Sequence, residues 1–168
     1  MNAVQVGTIG PVVVNRRPAY VPQMTATLPT PPDLTLEETL AELVEEFDLL
    51  GDWEGRIEYV IDLGKGLAPL VEADRSEANK VPGCAAQVWL AVHPAGERLW
   101  FAADSDSAIS KGNIALLLKL YSGRTPAEIR GFDAKAALDR LGLPSALTRQ
   151  RANGLNSMVG RIRAAAGG

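Results

Sequence analysis

The chain has 168 residues with one cysteine, one histidine and a formal net charge of −3. A single cysteine cannot form an intramolecular disulfide, and with one histidine it cannot supply the ligands of a zinc or iron–sulfur centre. The acidic balance argues against nucleic acid as a partner, and no apolar run approaches the length of a membrane span. We therefore expect a cytoplasmic protein with one thiol, no bound metal and no membrane contact.

The composition changes along the chain. Residues 1–32 contain six of the eleven prolines and no acidic residue. Proline fixes φ and removes a backbone donor, so neither a helix nor a central strand can continue through this spacing. We predict a flexible proline-rich tail over residues 1–33, followed by a single domain over residues 34–166.

Two helices are predicted after the tail. Thr35 opens a capping box, and the helix that follows has apolar residues at helical spacing until Gly51. A second helix over about 53–63 is expected to bury Trp53 and to be closed by Gly64 and Gly66.

A β-hairpin and further helices are predicted next. Residues 86–92 and about 99–102 alternate in polarity, and residues 94–97 are typical of a turn. The Asp-Ser-Asp sequence at 104–106 is expected to cap a central helix over about 107–121, which is apolar on nearly all sides. Shorter helices follow, including one over 133–141, and the last helix is predicted over about 149–165.

The charges are segregated along the domain. Eight acids and no base lie between Asp33 and Asp52, whereas five arginines and no acid follow Asp139. Two interpretations are open. The first and last helices could lie together with complementary outer faces, or the arginines could form a surface that meets an acidic partner.

Cys84 is the candidate chemical group. An isolated cysteine is commonly a small buried hydrophobe, but Cys84 follows Pro-Gly at a predicted loop tip, which favours an accessible thiol. His93 is nine residues away, about 30 Å along an extended strand, so a Cys–His dyad is disfavoured. Arg75 and Lys80 could raise the thiolate fraction or could be solvated loop charges. Without a second cysteine, sulfur-to-sulfur exchange with another protein is the chemistry that remains.

Several motifs resemble those of the SufE family. The resemblance covers about residues 36–165, and its most specific parts are Gly-Cys-Ala-Ala-Gln-Val-Trp at 83–89 and Asp-Ser-Asp at 104–106. The C-terminal motif at 147–155 departs from the family pattern because Arg149 replaces the usual proline. The resemblance implies an α+β fold in which helices cover a small antiparallel sheet, a two-layer arrangement similar to that of the IscU-type scaffold protein.

The resemblance also implies a function. SufE-like proteins take persulfide sulfur from a cysteine desulfurase that uses pyridoxal phosphate, stimulate that enzyme, and pass the sulfur to an iron–sulfur scaffold complex. The expected partners are therefore a SufS-like desulfurase and a SufBCD-like scaffold. The chain itself is expected to be a carrier rather than an enzyme and to hold no cofactor, because the pyridoxal phosphate belongs to the desulfurase.

The family motifs imply roles for five residues. Cys84 corresponds to the persulfide acceptor, and Gly83 and Gln87 belong to its loop. Asp106 corresponds to the residue linked to loop opening, and Arg151 to a residue that faces the partner. An alternative remains open, in which the domain activates or binds a desulfurase without carrying sulfur and the cysteine is dispensable.

Overall fold

The computed structural model describes residues 30–168, and within this range the chain forms seven α-helices and one antiparallel pair of strands. The predicted α+β class is confirmed, whereas most of the predicted tail, residues 1–29, lies outside the described residues. In chain order the elements are α1 (Leu36–Leu50), α2 (Trp53–Lys65), β1 (Val88–Ala95), β2 (Arg98–Ser105), α3 (Ala108–Tyr121), α4 (Pro126–Gly131), α5 (Ala134–Arg140), α6 (Leu143–Ala146) and α7 (Arg149–Ala165).

The predicted helices are present, but two details of α2 differ from the prediction. Trp53 was expected in the core, yet it is 60% exposed, because it opens α2 at the corner that follows α1. Gly66 caps the helix as predicted, but Gly64, which was also expected to close it, is a buried residue within α2 that contacts α3. The short helix α6, in a segment expected to break the chain, was not predicted.

The helix α3 lies at the centre of the domain, as its apolar sequence predicts. It packs against α2, α7 and β2, and ten of its residues are buried. Its contact with α2 is unusually close, because a Cβ added to Gly112 would lie 2.2 Å from the carbonyl oxygen of Val60. Glycine is therefore required where these two helices cross.

The hairpin is longer than predicted and its turn is tighter. Pairing extends from Val88 opposite Ser105 to Ala95 opposite Arg98, so that Pro94 lies in β1 rather than in the turn. Its partner Leu99 donates its N–H to the carbonyl oxygen of residue 124 and not to β1. Pro94 and Leu99 are therefore opposite each other without a mutual hydrogen bond, and the N–H that proline lacks is not needed there. The positive φ of Gly96 closes the turn.

The two charged helices at the ends of the domain do not complement each other. The acids of α1 pair instead with neighbouring elements, as Asp48 does with Arg56 on α2 and Glu46 with Lys119 on α3. Within residues 30–168, no ion pair joins α1 to α7. The first interpretation of the charge segregation is therefore wrong.

None of the helices in the described range is both long enough and apolar enough to cross a membrane.

Candidate functional site

Cys84 lies in a loop whose two ends are tied to the start of the hairpin. We call residues 81–87 the cysteine loop. At its first end, the N–H of Val81 donates to the carbonyl oxygen of Val88 at 2.8 Å, and Lys80 forms a bridge with Trp89. These bonds continue the antiparallel pattern along the outer edge of β1. The loop therefore leaves the sheet and returns to it at adjacent points.

Asp106 holds the other end of the cysteine loop. Its carboxylate accepts hydrogen bonds from the backbone N–H of Gln87 at 3.0 Å and from the Gln87 side chain at 3.4 Å. Ser105 adds a bond from its hydroxyl to the carbonyl oxygen of Gln87 at 2.7 Å. The predicted capping role of residues 104–106 is wrong, because Ser107 caps α3 and Asp106 is directed back towards the loop.

The tip of the cysteine loop rests on α7. The half-buried thiol of Cys84 donates to the carbonyl oxygen of Gly154 at 3.7 Å. One residue earlier, Gly83 has φ +82°, and a Cβ there would lie 3.0 Å from Oγ of Ser157. We call Gly154 and Ser157 the α7 seat. Gly83 in the loop and Gly154 on α7 allow this close approach, and Gly83 also supplies the positive φ.

The surroundings of Cys84 favour the neutral thiol. Burial raises the pKa of Cys84, because the thiolate loses hydration. The nearby cations are engaged elsewhere: the guanidinium of Arg75 lies 4.6 Å from the centre of the Trp89 ring, and Lys80 pairs with Glu77 at 2.7 Å. The suggestion that these two cations raise the thiolate fraction is therefore not supported.

Asp104 organises the segment that precedes the cysteine loop. Its carboxylate pairs with Arg75 at 2.5 Å and with Lys111 at 3.1 Å, joining this segment to the first turns of α3. Burial opposes ionisation of Asp104, but hydrogen bonds from Arg75, from the backbone N–H of Ser105 and from Lys111 lower its pKa on balance. Asp104 thus holds the segment before the cysteine loop, whereas Asp106 holds the end of the loop at Gln87.

His93 does not pair with the cysteine. It lies within β1 opposite Trp100, rather than in the turn where it was predicted, and its Nε2 is 2.8 Å from the carboxylate of Asp74. This position agrees with the expectation that the imidazole does not act as the base for the thiol.

Arg151 and Arg161 lie on the same stripe of α7 as the seat, since positions 151, 154, 157 and 161 follow one another at spacings of three or four residues along one face of the helix. Arg151 donates to the hydroxyl of Ser107 at 3.4 Å, at the start of α3. Arg161 donates at 2.7 Å to the carbonyl oxygen of Ala78, in the segment before the cysteine loop. The sequence predicted no role for the seat, and it singled out Arg161 only as one of the five C-terminal arginines. A glycine inside a predicted helix was the available signal for Gly154.

No group of three or more His, Cys, Asp or Glu side chains within the described part of the chain is placed to hold a metal ion.

Comparison with known proteins decides the family. The model of the SufE family, described as an Fe-S metabolism associated domain, matches residues 41–166. The chain belongs to the SufE family. An uncharacterised SufE-like protein of Rhizobium etli is 45% identical over 129 residues, which are 74% of this chain and 87% of the relative. A second, from Rhizobium meliloti, is 42% identical over 134 residues, covering 77% of this chain and 96% of the relative.

A solved structure supports the fold of this SufE-family member. The solution structure of a hypothetical protein from Thermus thermophilus matches with a TM-score of 0.64 and covers 76% of this chain and 93% of that protein. At 18% identity the likeness shows the fold alone. The SufE family match adds that the domain is associated with iron–sulfur metabolism.

Proposed function

We propose that this SufE-family domain carries sulfur on Cys84. It would take sulfane sulfur from a SufS-like cysteine desulfurase, stimulate that enzyme, and pass the sulfur to a SufBCD-like iron–sulfur scaffold. Membership of a family associated with iron–sulfur metabolism supports this proposal. The observation that carries it is the position of the only cysteine in the chain, at the tip of a loop tied at both ends and resting on α7.

The proposed reaction is a thiol–disulfide-type exchange. The Cys84 thiol gives its proton to water, and the thiolate attacks the terminal sulfur of a persulfide on the desulfurase. A sulfur–sulfur bond forms on Cys84 while the corresponding bond on the desulfurase breaks, and the desulfurase cysteine leaves as a thiolate. The sulfane sulfur keeps its oxidation state, so no external oxidant or reductant is needed. Pyridoxal phosphate acts in the desulfurase, and this chain needs no cofactor for the step.

The resting position of Cys84 suits a carrier. Burial raises the pKa of the thiol, so that little thiolate is present for unwanted oxidation while the loop rests on the α7 seat. Movement of the loop tip away from Gly154 would hydrate the sulfur and restore an ordinary thiolate fraction. Reactivity would then coincide with exposure to the partner.

The arginines of α7 support a partner with an acidic surface. The interpretation that remains for the charge segregation is that the arginines form a surface that meets an acidic partner. In the described range, none of the four arginines of α7 has a carboxylate within ion-pair distance. Two of them, Arg151 and Arg161, lie along the stripe that contains the seat for Cys84. Positive charge beside the reacting sulfur would steer an acidic surface of the desulfurase towards it, with an association rate that falls as salt is added.

The test compares the wild-type protein with Cys84→Ser. Each is incubated with a cysteine desulfurase and cysteine labelled on sulfur, and both the bound label and the rate of alanine formation are measured. We expect label on the wild type that a reductant removes, no label on Cys84→Ser, and loss of the stimulation. If Cys84→Ser stimulates the desulfurase as well as the wild type does, the domain is an activator and the carrier proposal is wrong.

A further inference from the structure

The helix α7 contains two interior glycines whose surroundings differ. Glycine is unfavourable inside a helix because its backbone loses the most freedom on folding. Around Gly160, no described atom beyond the backbone of its own helix lies within 4 Å of an added Cβ. Gly154 is buried and faces the cysteine loop. The helix thus has a glycine with an open surface and a glycine with a close neighbour.

The nearest neighbour of Gly154 across the contact is Cys84. The three atoms nearest to an added Cβ are Sγ of Cys84 at 3.4 Å, its Cα at 3.5 Å and its Cβ at 3.7 Å. A single methyl group would therefore make ordinary van der Waals contact with the cysteine. A further heavy atom directed from that methyl towards the loop would overlap the sulfur or the backbone of the loop.

The structure also indicates which part would move to relieve such an overlap. Val81 is bonded to Val88 at one end of the loop, and Gln87 is bonded to Asp106 at the other. The helix α7 itself is held in the core by Leu155 and Met158, which are close to Gly154 on the helix and are each 1% exposed. Between two tied ends and a packed helix, residues 82–86 are the part that can be displaced.

We propose that Gly154 is a positioning residue that sets the resting place of Cys84, so that the size of the side chain at position 154 controls how long the thiol is exposed. A hydrogen atom or a methyl group at this position allows the loop to close, and a side chain larger than a methyl group holds Cys84 away from α7. The inference deepens the proposed function and rests on it for its biological meaning, since only a carrier cysteine needs to leave its resting place and return.

The decisive variant is Gly154→Val, with Gly160→Val as its matched control. Valine has a stiff χ1 in helices and cannot easily rotate away from the cysteine. Both variants make the same chemical change in the same helix, so their intrinsic effects on helix stability are comparable. The readout is the rate at which iodoacetamide alkylates the folded protein, which is unambiguous because the chain has one cysteine.

We expect Gly154→Val to be alkylated at least about tenfold faster than the wild type, the factor that a typical overpacking cost gives when opening of the loop relieves it. Gly160→Val and Gly154→Ala should react at the wild-type rate. An unchanged rate in folded Gly154→Val, or an equal increase in Gly160→Val, would overturn the proposal.

If melting curves show that Gly154→Val does not fold, Gly154→Ser takes its place. Its hydroxyl adds one atom beyond the Cβ, and we expect alkylation several-fold faster than that of Gly154→Ala; equal rates in these two variants would contradict the proposal. These assays contain no desulfurase. Their failure is therefore distinct from failure of the carrier function, which the Cys84→Ser experiment tests.

Discussion

Glycine brings two pairs of segments close together in this domain, and the two contacts differ in what the glycine faces. Where α2 crosses α3, a Cβ on Gly112 would lie 2.2 Å from a carbonyl oxygen of Val60, which belongs to the backbone of a long helix. On α7, a Cβ on Gly154 would lie 3.4 Å from the sulfur of Cys84, in a loop. The first contact joins two rigid elements, whereas the second joins a rigid element to one that can move.

The difference separates the contact that maintains the fold from the contact proposed to serve function. The crossing of α2 and α3 belongs to the main core, in which Val60 is fully buried. The seat on α7 is at the edge of that core, where Cys84 is only half-buried. A contact of ordinary van der Waals length with few buried atoms can break and form again at modest cost.

The largest expected effect comes from making the same substitution at both glycines. Gly112→Ala places a methyl group against the backbone of α2, and we expect a loss of about 3 kcal/mol in the free energy of unfolding. Gly154→Ala meets an ordinary contact and improves helix propensity, so it should leave stability unchanged or raise it by up to about 1 kcal/mol. Urea denaturation measures both values. Equal losses in the two variants would remove the distinction between the contacts.

A smaller effect is expected at the end of the loop held by Asp106. Asp106→Ala removes the acceptor for the N–H of Gln87 and weakens the closed position by about 1 kcal/mol. Alkylation of Cys84 should therefore be several-fold faster, with less change in the global unfolding free energy. Asp62→Ala is the control, because Asp62 is an exposed carboxylate of α2 that pairs with Lys65. Equal alkylation rates in the Asp106 and Asp62 variants would show that this end does not restrain the loop.

The pH dependence of alkylation tests the burial of the sulfur. Because burial raises the pKa of Cys84, the alkylation rate of the folded protein should reach half its maximum at a higher pH than that of the urea-unfolded chain. The stability that burial gives to the neutral thiol is present below the unfolded-state pKa and declines as the pH rises towards the folded-state pKa. Coincident profiles for the folded and unfolded chains would mean that Cys84 is already hydrated at rest.

The smallest effect is expected for Arg151, which lies on the stripe of the seat but contacts Ser107. Arg151→Ala should weaken binding to a cysteine desulfurase by a few-fold, the usual size for a partly exposed charge at an interface, and should leave alkylation of Cys84 unchanged. Titration calorimetry at low and high salt measures the first quantity. If Arg151→Ala binds with wild-type affinity at both salt concentrations, Arg151 is a solvated charge that does not contribute to binding.

Much of the fold was predictable because its signals are local. Capping by Thr35 and the apolar spacing of α3 and α7 depend on neighbouring residues, and those helices begin and end close to the predicted positions. The wrong predictions concern residues whose environment is set by tertiary contacts. Trp53 has an apolar side chain that the core does not cover, and Gly64 contacts a helix distant in sequence.

The candidate site was predictable only in part. The cysteine and its loop follow from the Pro-Gly-Cys sequence and the family motifs, and Asp106 lies beside that loop, where it accepts hydrogen bonds from Gln87. The seat could not be predicted, because the contact of Gly154 with Cys84 joins residues that are seventy positions apart. The wrong capping assignment of Asp106 has the same cause, since a carboxylate before a helix can face either the helix or a distant loop.

The central claim is that Cys84 itself receives sulfur, and the mass of the peptide that contains it tests this most directly. After incubation with a cysteine desulfurase and cysteine, the protein is trapped with iodoacetamide, digested and analysed by mass spectrometry. We expect a peptide with Cys84 that is heavier by one sulfur atom and that loses this mass, together with its alkyl group, on reduction. A peptide without added sulfur, recovered while the desulfurase is fully stimulated, would contradict it.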